Sequence, residues 1–180
     1  IASQVVTALQ SISSRSINPL DSVVVTVASI HGGTAFNIIP PSVEMRGTVR
    51  SFSKSVRKDV PKRMASIVKQ IAGALGGRGE LDYVNEDPAL VNDARLAEFF
   101  REVVRDVMGP KALIETEPSM GGEDMALYQE LVPGCYIFVG SSPKGTMYPH
   151  HHPKFNPDEG VLPIATALMT EGARRWLAAN

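Results

Sequence analysis

Cysteine is nearly absent. Cys135 is the single one in the chain, so no disulfide can close within it. It stands in Cys135-Tyr136-Ile137-Phe138-Val139, an apolar run that reads as a buried strand carrying an inert thiol, which fits a reducing compartment. Long hydrophobic runs are lacking too: none approaches the roughly 20 residues needed to span a bilayer. Charge of one sign is not in excess, since 18 basic and 19 acidic residues leave a net −1 at pH 7. That balance gives no reason to expect nucleic acid or an acidic membrane surface as a partner. There are no internal repeats and no low-complexity tracts. An initiator methionine is also absent. Residue 1 is Ile, no secretory signal comes before the first amphipathic segment, and Ile1, Val5, Val6, Leu9 and Ile12 already recur with helical period. A chain that opens inside a helix is expected to continue upstream, so targeting is not legible from this end; the cytoplasm is the expected compartment.

What is present suffices for one good core or two small ones, with 180 residues of which 43% are hydrophobic. The first helix is expected to reach about Ser14, and Asn18-Pro19-Leu20-Asp21 stops it. Val23 to Val27 reads as a β-branched strand with neighbours on both faces, broken by Gly32-Gly33. In the next strand Val43, Met45, Gly47 and Val49 face one way, and Glu44, Arg46, Thr48 and Arg50 the other. Ser53 caps a long helix striped by Val56, Val60, Met64, Ile67, Val68, Ile71 and Leu75, and Gly76-Gly77 ends it. Pro61 predicts a kink in that helix or marks its true start. Leu81 to Val84 reads as a short strand, giving an α-β-β-α-β order. The texture changes at Asn85-Glu86-Asp87-Pro88, where we place a domain boundary. Beyond it come a helix bearing Leu96, Phe99, Phe100, Val103, Val104 and Val107, a loop-rich stretch holding the Cys135 strand, a polar loop from Gly140, and a last helix from about Asp158 with Leu162, Ala165, Leu168, Met169 and Trp176. Two helices and about two strands are too little for an independent core, so partner strands are expected from elsewhere.

Three constellations carry possible chemistry. His150, His151 and His152 form either a solvated polar loop or a source of metal ligands, since neutral imidazole suits zinc and similar ions. Adjacent histidines in an extended loop point to alternate sides, so one or two at most reach the same ion, and a catalytic zinc needs three protein ligands and an open position. Gly32-Gly33-Thr34-Ala35-Phe36-Asn37-Ile38-Ile39-Pro40 followed by Gly47-Thr48-Val49-Arg50 is either a glycine-broken strand end, a loop and an edge strand, or a site. In the second reading Asn37 donates and the planar fork of Arg50 grips a carboxylate. Met120-Gly121-Gly122-Glu123-Asp124 allows close backbone approach to a ligand, or is a tight turn before a helix whose N-terminus favours acids; capping is the better physical explanation.

In this order and spacing, Gly-Gly-Thr-Ala-Phe-Asn-Ile-Ile-Pro, Gly-Thr-Val-Arg, Gly-Gly-Glu-Asp-Met-Ala and His-His-Pro-Lys-Phe resemble the aminoacylase-type di-metal amidohydrolases, above all hippurate hydrolases, N-acyl-amino-acid amidohydrolases and indole-acetyl-amino-acid hydrolases. The resemblance covers essentially the whole chain and the C-terminal half of that family's. It implies an α/β protein. Residues 1–88 would form most of an α/β-sandwich lid or dimerisation domain whose first strand lies outside the chain. Residues 89–180 would form the C-terminal portion of a metallo-exopeptidase-like catalytic domain. It implies hydrolysis of the amide of N-acyl amino acids by two divalent ions (Zn, Mn, Ni or Co) and a bridging water. The general-base glutamate and the other ligands would lie upstream, leaving no catalytic residue in this chain. His151 would be a metal ligand, with His150 the alternative if the register is off by one. Asn37, Arg50 and Gly122 would bind substrate, the first two by its carboxylate, usually in the partner subunit's site. Gly122 and Met125 stand where the family commonly has serine and phenylalanine, which bears on the pocket wall. The implied partners are a small N-acyl amino acid, the other half of the catalytic domain, and a second copy through the lid. Alone, the chain is expected to be inactive and to behave as a dimerisation module. A dipeptidase, desuccinylase or carboxypeptidase of the same superfamily is the alternative within enzymes.

Overall fold

The computed structural model describes residues 1–143, 145 and 147–179. Lys144 and Thr146, in the expected polar loop after Gly140, lie outside the described residues. The chain divides into two compact units, one of residues 1–89 with 119–126, the other of residues 90–118 with 127–180.

In the first unit, helix α1 (Ala2–Leu9) is followed by a π-helical turn, Ile12–Ser16, so helical backbone runs slightly past the expected end at about Ser14 and halts before Asn18-Pro19. Strands β1 (Val23–His31) and β2 (Glu44–Ser51) pair antiparallel, with Val25 opposite Val49 and Val24 opposite Arg50. The register shifts between Val27 and Ser29, opposite Gly47 and Arg46. The backbones come so close there that a Cβ on Gly47 would lie 2.0 Å from the Thr26 carbonyl oxygen, so no side chain fits at that position. Helix α2 (Lys54–Ala74) starts at its Ser53 cap, whose Oγ accepts from the Val56 N–H. It runs on through Pro61, which neither starts nor interrupts the helix. A proline inside a helix costs about 3 kcal/mol. Burial of Val56, Val60 and Val68 on the same helix offsets this, because tertiary packing of an apolar face supplies most helical stability. The helix closes as expected in a Schellman motif: the Gly77 N–H donates to Ala72 O at 2.8 Å and the Gly76 N–H to Gly73 O at 3.1 Å.

The core of this unit is Val5, Leu9, Ile12, Val25, Val56, Val60 and Val68, with Met45 and Val49 packed against it. It occupies one face of the sheet only. The reading of β1 as covered on both faces is therefore wrong: Val23, Val25 and Val27 turn inward, while Val24 and Thr26 are exposed. A run of β-branched residues suits a pleated surface whichever face is buried, so composition could not tell the two cases apart. The expected strand at 81–84 does not form either. Leu81 and Tyr83 turn inward and Asp82 and Val84 outward, the alternation of a strand, but no strand among the described residues lies alongside to accept a ladder. Burial raises the Tyr83 phenol above its ordinary value, opposed by the nearby Arg57 guanidinium.

In the second unit, α3 (Ala94–Met108) is capped by Asp93, which accepts from the Leu96 N–H at 3.0 Å. Its Val103 and Val104 are buried with Leu168 of α5 (Val161–Ala179), and Phe99 meets Phe100 and Trp176 edge-to-face. Leu162 and Met169, expected on the inward stripe of α5, are exposed, as is Val107 of α3. Within this unit α5 packs mainly against α3, and only part of its apolar surface is covered. Cys135–Val139 is not a strand. Its backbone is held by side chains instead: Asn92 Oδ1 accepts from the Tyr136 N–H and Asn92 Nδ2 donates to Tyr136 O, both at 2.8 Å. Cys135 is half-buried rather than fully enclosed; burial pushes its thiol up, eased by Arg101 and reinforced by Asp93. No helix is long and apolar enough to cross a membrane among the described residues.

Candidate functional site

Arg50 sits at the end of β2 on the uncovered face of the sheet, exposed, next to Ser51. Most arginines of the chain are committed: Arg46 to Glu44, Arg63 to Asp59, Arg101 and Arg105 to Glu98, Arg175 to Asp106 and Glu171. Arg50 has no carboxylate partner and no hydrogen bond among the described residues, so its five donors are available. What it does have is a neighbour distant in sequence. Residues 119–126 group with the first unit, and a Cβ built on Gly122 would meet Arg50 Nη1 at 2.8 Å. Two of the sequence-nominated substrate residues are thus brought together.

Asn37 occupies the turn between Gly32 and Pro40, where the Ile38 N–H donates to Ala35 O at 3.5 Å. Its side-chain amide is exposed and without a hydrogen-bond partner among the described residues. Around it stand three apolar side chains in water: Phe36, Ile38 and Ile39, the first and last almost wholly exposed at 104% and 93%. Sequence reasoning passed over them. The available signal was three large apolar residues in a loop bounded by Gly and Pro, where neither helical nor strand period gives them a buried face.

In the acidic segment, the capping explanation holds for Glu123. Its Oε1 accepts from the Met125 N–H at 3.3 Å and its carbonyl from the Ala126 N–H at 3.2 Å, at the start of the short helix α4 (Met125–Gln129). The Gly121 N–H donates to Ser119 Oγ, tightening the turn before it.

The three histidines belong to the second unit and differ from one another. The His152 N–H donates to Pro149 O at 3.2 Å, closing a tight turn with His151 at its third position. His151 has φ +68°, the one positive φ of a non-glycine residue in the described chain. That left-handed conformation costs an L-residue about 1–2 kcal/mol. His150 packs edge-on to Phe155 and His152 stacks on Tyr148 at 4.5 Å, its Nδ1 accepting from the Lys154 N–H at 3.0 Å. His151 is exposed and makes no ring contact or side-chain hydrogen bond among the described residues.

A complete metal centre does not form from these donors. No three His, Cys, Asp or Glu side chains gather to hold an ion among the described residues, and one imidazole falls short of the three protein ligands of a catalytic zinc.

The profile of the family described as Peptidase family M20/M25/M40 matches residues 4–175. The chain belongs to that family. Among curated M20 relatives it is similar to IAA-amino acid hydrolase ILR1-like 4 of Arabidopsis thaliana, 38% identical over 98% of this chain and 41% of that protein. It is also similar to N-acetyl-L-cysteine deacetylase of Bacillus subtilis, 36% identical over 99% of this chain and 42% of that one. Its fold superposes on a crystal structure of a dinuclear metal-binding M20 peptidase from Bacillus subtilis with a TM-score of 0.78 and 32% identity, over 99% of this chain and 45% of that chain. The chain therefore spans about two fifths of the length of the curated relatives it matches, and the α/β fold is that of the corresponding part of an M20 protein.

Proposed function

We propose that the full-length protein hydrolyses the amide bond of N-acyl amino acids, hippurate-like compounds among them, and that this chain supplies the grip on the amino-acid half. The carrying observation is the uncommitted guanidinium of Arg50 beside Gly122. A planar fork with all donors free suits a bidentate carboxylate. Asn37 adds a neutral donor from a turn whose apolar flanks suit an acyl group or a subunit contact. Residues 1–88 act as lid and dimerisation domain and residues 89–180 complete a catalytic domain.

His151 serves as one metal ligand. Of the three imidazoles it alone is not engaged by a neighbouring ring, and its strained backbone is the kind of feature that persists where a side chain must be aimed. Two divalent ions, when bound, supply water activation and carbonyl polarisation. The other ligands and the general base come from polypeptide outside this chain, and zinc, manganese, nickel and cobalt are the candidates.

Arg50→Ala in the full-length enzyme tests the reading. Removing one member of a desolvated arginine–carboxylate pair costs about 2–5 kcal/mol, and each 1.4 kcal/mol is roughly tenfold in affinity. KM for an N-acyl amino acid should rise at least about tenfold, and an unchanged KM would sink the assignment.

A further inference from the structure

Resting on the reading of His151 as a metal ligand, we propose that His152 is its positioning residue: a side-chain acceptor at 152 locks the turn that aims the neighbouring imidazole. Two successive tight turns share this residue. The His152 N–H donates to Pro149 O at 3.2 Å, and the His152 carbonyl accepts from the Phe155 N–H at 2.9 Å. Inside the second turn, Nδ1 of the same residue accepts from the Lys154 N–H at 3.0 Å. The ring is half-buried and lies 4.5 Å from that of half-buried Tyr148, the two planes within 15°, and Lys154 Nζ stands 5.9 Å from the Tyr148 ring. Pro153 disfavours helical backbone at 152, and from an extended residue a side-chain acceptor reaches the N–H two positions on.

The consequence falls on the first turn. Only its third position, His151, has a positive φ, at +68°, and a tight turn with that pattern ordinarily takes glycine there. His151 contributes nothing toward holding itself in place, since it is exposed and makes no ring contact or side-chain hydrogen bond among the described residues. A disfavoured backbone conformation persists only where its surroundings over-determine it. His152 supplies those surroundings, fixed at its N–H, its carbonyl and its ring. Without the ring bond the second turn keeps one of its two closures, and His151 relaxes toward negative φ, which turns its Cβ and imidazole in a new direction. The role belongs to an acceptor at 152 rather than to imidazole as such.

The test compares His151→Ala, His152→Ala and His152→Asn in the full-length enzyme with zinc as the probe. The readouts are zinc bound per chain by elemental analysis and zinc affinity by competition with a chromophoric chelator. Asparagine keeps an acceptor in the same place and suits a position before proline, but brings no imidazole. His152→Ala should weaken zinc binding about 10- to 100-fold, as loss of a partner that orients a metal ligand does, with Tm of the metal-free protein unchanged. His152→Asn should recover most of the parent's affinity. A loss in His152→Asn equal to that in His152→Ala would overturn the role, because the imidazole itself would then be what counts. A lowered metal-free Tm in His152→Ala would overturn it as well, by showing a residue that serves folding. If His151→Ala lowers bound zinc while His152→Ala does not, the positioning role alone fails. If His151→Ala leaves zinc binding unchanged, the ligand reading fails and this inference with it.

Discussion

At the scale of single residues, charge pairing on α5 carries a pH signature. Hydrogen bonds from Arg174 and Arg175 hold the Glu171 carboxyl down to about 2, against an ordinary value of 4.5. Because the folded state binds this proton less readily than the unfolded chain, the carboxylate contributes stability above pH 4.5 and loses it as pH falls from there toward about 2. Glu171→Gln should therefore be less stable than the parent at neutral pH, with the gap narrowing through that acid window in urea titrations. A gap independent of pH would mean that the ion pairs with Arg174 and Arg175 contribute nothing. Histidine shows the same lesson for chemistry. Three identical neighbours become unequal because Phe155 and Tyr148 occupy the rings of His150 and His152 and because His151 alone takes a positive φ.

At the scale of elements, α3 and α5 approach closely enough to require a glycine. A Cβ on Gly172 would lie 2.7 Å from Phe100 Cε1 and 2.8 Å from its Cζ. The ring cannot yield freely, since it packs edge-on to Phe99 at 5.5 Å, and Phe99 in turn meets Trp176 at 5.6 Å. Overpacking of this kind costs about 1–3 kcal/mol. Gly172→Ala should lower the thermal midpoint by several degrees, roughly the shift that 1 kcal/mol produces in a domain of this size. An unchanged midpoint would show that the helices slide apart without cost. The helices were legible in sequence because their signals are local: Ser53 as a cap, Gly76-Gly77 as a stop, and valines at helical spacing. The strands at 81–84 and 135–139 were misread because a strand is defined by its neighbour. Leu81 and Tyr83 keep the alternating burial of a strand, and Tyr136 has its N–H and C=O satisfied, yet by Asn92 rather than by a ladder.

At the scale of the molecule, the uncovered features concentrate in a few places. Both outer edges of the β1–β2 sheet are unpaired among the described residues, and its Arg50 face is open. Phe36, Ile38 and Ile39 project around Asn37, and Leu162 and Met169 stand out from α5. These surfaces are consistent with a chain that works within a larger body. The 180-residue chain by itself should show no amidase activity with added zinc or manganese. In the full-length enzyme, His151→Ala should lower bound metal measured by elemental analysis, whereas His150→Ala should not. Equal metal content in parent and His151→Ala protein would remove that residue from the ligand set.

The amino-acid sequence by itself determined the main helices and the end of α2, the inward and outward faces of β2, the family, and the nomination of Asn37, Arg50, Gly122 and His151. These follow from periodicity, capping chemistry and short motifs, all of which act over a few residues. Only the tertiary structure decided that the sheet is covered on one face, that Pro61 is carried inside α2, that Arg50 lies near a glycine 72 positions further along, and that His151 is the one of the three consecutive imidazoles left free among the described residues. Each of those depends on which distant segment lies alongside, and local chemistry does not encode that residue by residue.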